Sequence, residues 1–212
     1  MRGHVRRRGA SVAGLDVADH LRTELAGADP WSLATSEFER RRFDALLSVI
    51  APRAPFGRAL EVGCAAGVFT ARLAPLCTDL TVVDAMPQAL DRAAERLGPA
   101  ANRVAWRVAD PSQDEVGGPY DLIVAAEVLY YLPGVDALKV AAKRLASALR
   151  PGGILVFGSA SDEACRRWGL YGGAETGLAV FSDLLREVAR TRCLGADWTE
   201  DSTIVAFSAG QG

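Results

Sequence analysis

Between residues 58 and 158 the chain alternates short apolar runs with longer amphipathic stretches. The runs at 59–63, 80–84, 104–108, 120–125 and 154–157 read as continuous rather than alternating, which predicts strands covered on both faces. The stretches 67–75, 87–97 and 134–149 carry the helical period. Pro87 opens the second of these from a first-turn position that proline favours. Arg150-Pro151-Gly152-Gly153 closes the third with a tight turn. Strand and helix in regular succession predict a parallel, doubly wound sheet with right-handed crossovers. Ahead of it, apolar residues at 15, 18, 21 and 25 predict one helix, broken at Asp29-Pro30-Trp31. Ser36 and Glu39 have the spacing of a capping box for a second helix that reaches Ile50, with Phe38, Leu46, Leu47 and Ile50 inward. Pro52 and Pro55 end that helix. Behind residue 158 the pattern predicts a polar helix or loop over 161–170, a helix over 176–190, and two short strands over 192–196 and 203–207 as an antiparallel edge. The expected class is therefore α/β, a doubly wound and mostly parallel sheet with an antiparallel C-terminal edge. Residues 1–14 form a loose basic tail, 15–57 an N-terminal helical cap, and 58–212 the core of what is a single domain.

Composition narrows the function without naming it. The 212 residues are half apolar and carry a formal charge of −2, so no basic surface for nucleic acid is expected. The one basic cluster, Arg2, Arg6, Arg7 and Arg8, sits in the tail. No stretch is apolar for the roughly 18 residues that a membrane span needs. The tail has no following apolar segment, so no secretory signal is expected and the chain reads as cytoplasmic. Cys64, Cys77, Cys165 and Cys193 include no CxxC pair, and only His4 and His20 stand beside them as imidazoles. No metal site is expected. Cys64 and Cys77 fall in apolar surroundings and read as reduced core thiols.

The chemistry gathers where strands end. Ligands of open α/β sheets bind outside the carboxyl ends of the strands. The first strand runs into Glu61-Val62-Gly63-Cys64-Ala65-Ala66-Gly67, a turn of small residues followed by a helix N-terminus. Asp84 ends the second strand about 20 residues later, where a carboxylate accepts hydrogen bonds from ribose hydroxyls. Asp110, followed by Pro111, is placed to accept from an adenine amino group, and Met86 to face the ring. Trp106, within a strand, reads as core. Glu127, with Tyr130 and Tyr131, follows the fourth strand. The glycine spacing does not fit the G-x-G-x-x-G of dinucleotide sites, and Glu61 would repel phosphate. A carboxylate there suits an ammonium group. Adenosine plus ammonium without phosphate describes S-adenosyl-L-methionine, with S-adenosyl-L-homocysteine as product.

Glu61 through Gly67, Asp84, Asp110, the aromatic residues after the fourth strand and Leu149-Arg150-Pro151-Gly152-Gly153 together resemble the ordered motifs of Rossmann-like class I methyltransferases. Ala65 departs from that pattern, where glycine is usual. A closer resemblance extends from about Asp16 to Phe207. Asp29-Pro30-Trp31, Phe38-Glu39-Arg40, Arg42, Ala126 through Leu132, Phe157 through Ala160, Cys165 through Gly169 and Gly173 through Thr176 are similar to the nodulation protein S family. The resemblance implies an N-methyltransferase for the free amine of an amino sugar, a deacetylated chitooligosaccharide or an aminoglycoside-type acceptor. The expected site then has Glu127 as base or orienting carboxylate and Tyr130 steadying the cation. Trp31 and Arg42 close over the cofactor from the cap, and Tyr131, Arg166, Trp168 and Glu175 face the acceptor. An O- or C-methyltransferase of the same fold and a non-catalytic nucleotide-binding module stay open as alternatives, as does the oligomeric state.

Overall fold

The computed structural model describes residues 17–27 and 29–210. The basic tail, 1–14, lies outside the described residues. One seven-stranded sheet organises the molecule. Its strands are β1 (Phe56–Val62), β2 (Cys77–Asp84), β3 (Val104–Val108), β4 (Tyr120–Ala126), β5 (Leu149–Ala160), β6 (Arg186–Cys193) and β7 (Ser202–Ser208). Their spatial order is β3-β2-β1-β4-β5-β7-β6. β1 to β5 pair in parallel, whereas β7 runs antiparallel to both β5 and β6. This is the expected α/β class with its antiparallel edge.

Successive strand residues feed opposite faces of the sheet, because side chains alternate. Leu122 and Val124 pack on one face with α3 (Val68–Leu73) and α4 (Pro87–Leu97). Ile123 and Ala125 pack on the other with α5 (Val135–Ser147) and α7 (Ala174–Ser182). Both layers are apolar, which is why the strands read as unbroken runs. Cys64 and Cys77 are buried, and half-buried Trp106 packs against the first layer while its indole N–H donates to Ala101 O at 3.1 Å.

Four expectations change. First, α1 (Val17–Glu24) lies at the cleft, but α2 (Glu37–Ile50) is more than a cap. Phe43, Leu46 and Ile50 sit in the first core layer, so α2 covers the sheet like any other crossover helix. The expected boundary at 57/58 falls inside β1. Second, the Arg150–Gly153 turn lies within β5, at an irregularity where the pairing with β4 jumps from Tyr120–Leu149 to Leu122–Ile154. Third, the stretch expected as helix to 190 ends at Ser182, and β6 occupies 186–193, where the sequence predicts a strand only over 192–196. β6 is an edge strand with a bulge between Glu187 and Ala189. Its charged residues discourage pairing with another chain, and they erase the apolar alternation that marks a strand. Fourth, only half of the capping box forms. Ser36 accepts from Glu39 N–H at 3.4 Å, but the Glu39 carboxylate turns inward.

Candidate active site

The strand order reverses between β1 and β4, and a cleft opens over their carboxyl ends. The glycine turn forms its floor. Gly63 has φ +78°, and a Cβ there would lie 2.4 Å from Val128 Cγ2. Ala65 also takes a left-handed conformation, φ 47°. That geometry explains why glycine is usual at this position. Glu61 lines the cleft at 3% exposure, and its Oε2 has no hydrogen-bond partner among the described residues. Burial pushes its pKa up to about 8. The Thr70 hydroxyl beside it pulls the value down and the Asp84 charge adds to the rise. A buried carboxylate in this state is completed by a cationic group. Asp84 accepts from Cys64 N–H and Met86 N–H, each at 2.9 Å, which fixes the carboxylate over the turn. Burial raises its pKa and those backbone donors oppose the rise.

Glu127 dominates the other end. It follows β4 with φ 55°, its N–H donating to Gly158 O at 2.8 Å. Its Oε2 accepts from the Tyr130 hydroxyl at 3.1 Å and its Oε1 from the Ser202 hydroxyl at 2.6 Å. Arg42 Nη1 stands 3.9 Å from Oε1. The same guanidinium pairs with Glu39, which is fully buried. Burial acts to lower the Arg42 pKa, but the Glu127 and Glu39 charges outweigh it and raise the value. Arg42 Nε has no hydrogen-bond partner among the described residues. The aromatic rings cluster here: Tyr130 lies 4.7 Å from Tyr131 and 6.2 Å from Trp168, centroid to centroid.

The cap supplies the roof. Trp31 and Ser32 have φ of 60° and 55°, and Asp29 holds the segment by accepting from Ala34 N–H and the Thr35 hydroxyl. Trp31, Ser32, Ala65 and Glu127 are the non-glycine residues with positive φ among those described. All but Ser32 line the cleft, and strain of this kind collects at functional sites. Arg92 on α4 donates to Ala26 O and Gly27 O, tying the end of α1 down.

Of the residues singled out from the sequence, Trp31, Arg42, Glu61, Gly63, Ala65, Asp84, Met86, Glu127, Tyr130, Tyr131 and Trp168 line the cleft. Four residues do not. Asp110 and Pro111 stand at the end of β3, and the Asp110 carboxylate accepts from Ser112 N–H and the Gln113 side chain. Arg166 is exposed and pairs with Asp162 at 3.4 Å. Glu175 accepts from Asp162 N–H at 2.6 Å, while Asp162 accepts from Gly173 N–H and Thr176 N–H. Glu175 and Asp162 thus form a mutual cap that joins α6 (Asp162–Arg167) to α7, and Arg166 pairs within α6, both away from the cleft lining. Two polar residues at the site are not foreseen from the sequence, Glu39 and Ser202. Glu39 has the sequence signature of a capping residue. Ser202 could be found from topology, since a strand antiparallel to β5 must begin at the rim where β5 ends.

The model of the Nodulation protein S (NodS) family matches residues 13–212. A Nodulation protein S of Sinorhizobium fredii (strain NBRC 101917 / NGR234) is 45% identical over 94% of this chain and 93% of its own length. One of Bradyrhizobium diazoefficiens is 46% identical over 88% and 89%. The crystal structure of N-methyltransferase NodS from Bradyrhizobium japonicum WM9 in complex with S-adenosyl-L-homocysteine superposes with a TM-score of 0.88 at 42% identity, over 92% of this chain and 98% of that one. This chain belongs to the Nodulation protein S family.

Proposed function

From that membership as premise, we propose that the acceptor of this S-adenosyl-L-methionine-dependent N-methyltransferase is the free amine of an amino sugar, in a deacetylated chitooligosaccharide or an aminoglycoside-type molecule. The observation that carries the reading is the acceptor end itself, where the Glu127 carboxylate stands among Tyr130, Tyr131 and Trp168. Aromatic planes suit the apolar face of a sugar ring, and a carboxylate suits its ammonium. Glu39, Glu61, Asp84 and Glu127 line the cleft against a single guanidinium, Arg42, among the described residues, so the site favours cations.

The cofactor fits the residues present. Glu61, whose Oε2 lacks a partner, would take the ammonium, and Arg42 Nε would take the carboxylate of the same amino-acid moiety. Asp84 would hold the ribose hydroxyls over Gly63 and Ala65. Met86 would face adenine from the cleft wall, while Asp110 and Pro111 stand outside the cleft at the neighbouring strand end. Trp31 closes the roof. The bound cofactor supplies a methyl group already activated on a sulfonium. What the chain must add is alignment of the amine with that methyl, an effect that can supply roughly 7–11 kcal/mol. Glu127 accepts an N–H of the amine, turns its lone pair towards the methyl and takes the proton the amine sheds. Tyr130 holds the carboxylate and presents its ring to the positive charge.

The test is methyl transfer against a panel of amino sugars, chitosan oligomers and aminoglycosides, each beside its N-acetylated or hydroxyl counterpart. Transfer confined to the free amines is expected. Transfer to hydroxyl acceptors alone would overturn the reading.

A further inference from the structure

We propose that Ser202 is a positioning residue for methyl transfer, which keeps Glu127 turned to the acceptor and away from Arg42. The inference rests on the role given to Glu127 above. Ser202 opens β7, pairs with Ala160 of β5 and Cys193 of β6, and is 1% exposed. It does not line the cleft, and it acts through its hydroxyl on Glu127 Oε1 at 2.6 Å.

The same oxygen faces a competing partner. Arg42 Nη1 is 3.9 Å from Oε1, close enough to attract and too far for a hydrogen bond. Both groups are buried, so their attraction is little screened. Released, Glu127 would close on Arg42 and withdraw from the acceptor. The Ser202 hydroxyl holds Oε1 on another line, while Tyr130 holds Oε2. A carboxylate offers about four lone-pair sites. Two are occupied by these hydroxyls, which leaves the remainder for the amine. Glu39 serves the same end by engaging the other arm of the guanidinium. A strand three places from β1 in the sheet, β7, thereby helps to set the reacting centre.

A double-mutant cycle separates positioning from mere packing. Turnover is measured on the free-amine acceptor for Ser202→Ala, Ser202→Thr, Glu127→Gln and the Glu127→Gln/Ser202→Ala pair, with S-adenosylhomocysteine binding by calorimetry to confirm an intact cofactor site. A hydrogen bond to a charged group corresponds to about a ten- to hundredfold effect. Ser202→Ala is expected to lose that much in kcat with cofactor affinity unchanged, and Ser202→Thr to recover most of it. In the Glu127→Gln background, Ser202→Ala should cause no further loss. Full turnover in Ser202→Ala, or an equal loss with and without Glu127, would overturn the proposal. Full turnover in Glu127→Gln would overturn the role of Glu127 itself, and this proposal with it.

Discussion

Glu61→Gln should strengthen the cofactor-free protein and weaken its grip on the cofactor, with both effects growing as pH rises. The carboxyl is fully buried and its pKa stands at about 8 against an ordinary 4.5. Between those values the folded chain holds a proton that the unfolded chain has lost, so stability falls as pH rises through 4.5 to 8 and levels off above. A folded pKa one pH unit above the unfolded one corresponds to about 1.4 kcal/mol, which puts the full effect at up to about 5 kcal/mol. Glutamine does not titrate, so the variant should lack this slope. Its melting temperature should match the parent near pH 5 and exceed it at pH 8.5. The cofactor reverses the sign. An ammonium against Glu61 favours the carboxylate, so binding to the parent should release a proton at pH 7 and tighten towards pH 8. Removing one partner of a buried charged pair costs about 2–5 kcal/mol, so the variant should bind S-adenosylhomocysteine at least about 30-fold more weakly at pH 8.5. Calorimetry in buffers of different ionisation enthalpy reads the proton count, and thermal melts of the cofactor-free protein read the slope. Parallel pH–stability curves for parent and variant, or equal cofactor affinity, would refute the reasoning.

Ala65→Gly should raise stability by up to about 1 kcal/mol, because the left-handed conformation at φ 47° strains alanine and not glycine; an unchanged or lower midpoint in urea would contradict this. Tyr130→Phe keeps the ring but removes the 3.1 Å hydrogen bond to Glu127. Steady-state kinetics should show kcat about tenfold or more lower with cofactor KM little altered. Arg92→Ala unties the end of α1 from α4 by removing two hydrogen bonds, so stopped-flow measurement should find S-adenosylhomocysteine leaving up to about thirtyfold faster, at about 1 kcal/mol per lost hydrogen bond; an unchanged off-rate would show that the cap is not latched there.

Much of the site is legible in the sequence because three of its carboxylates sit at or beside strand ends. Glu61, Asp84 and Glu127 each stand at a break in an apolar run, and the sheet order then brings them together. The residues that stay hidden depend on contacts between distant segments. Glu39 in the third position of a helix looks like any capping glutamate, and only the approach of Glu127 to its helical neighbour Arg42 makes it part of a buried charge cluster. Arg166 and Glu175 are the converse. Their types suit a cationic sugar, but Asp162 engages both, Glu175 across the junction of two helices and Arg166 within its own helix. Most of β6 does not read as a strand, because an edge strand with a bulge needs neither apolar continuity nor strict alternation. Its neighbour β7 is apolar and legible nearly to the residue, yet the function of its first serine follows from the antiparallel direction rather than from the residue itself.

The central claim is methyl transfer to the free amine of an amino sugar. It is tested most directly by nuclear magnetic resonance of the product formed from isotopically labelled S-adenosyl-L-methionine and a chitooligosaccharide with one deacetylated residue. The labelled methyl is expected on nitrogen of that residue, with no product from the fully acetylated oligomer. Label on oxygen or carbon, or equal transfer to the acetylated oligomer, would contradict it.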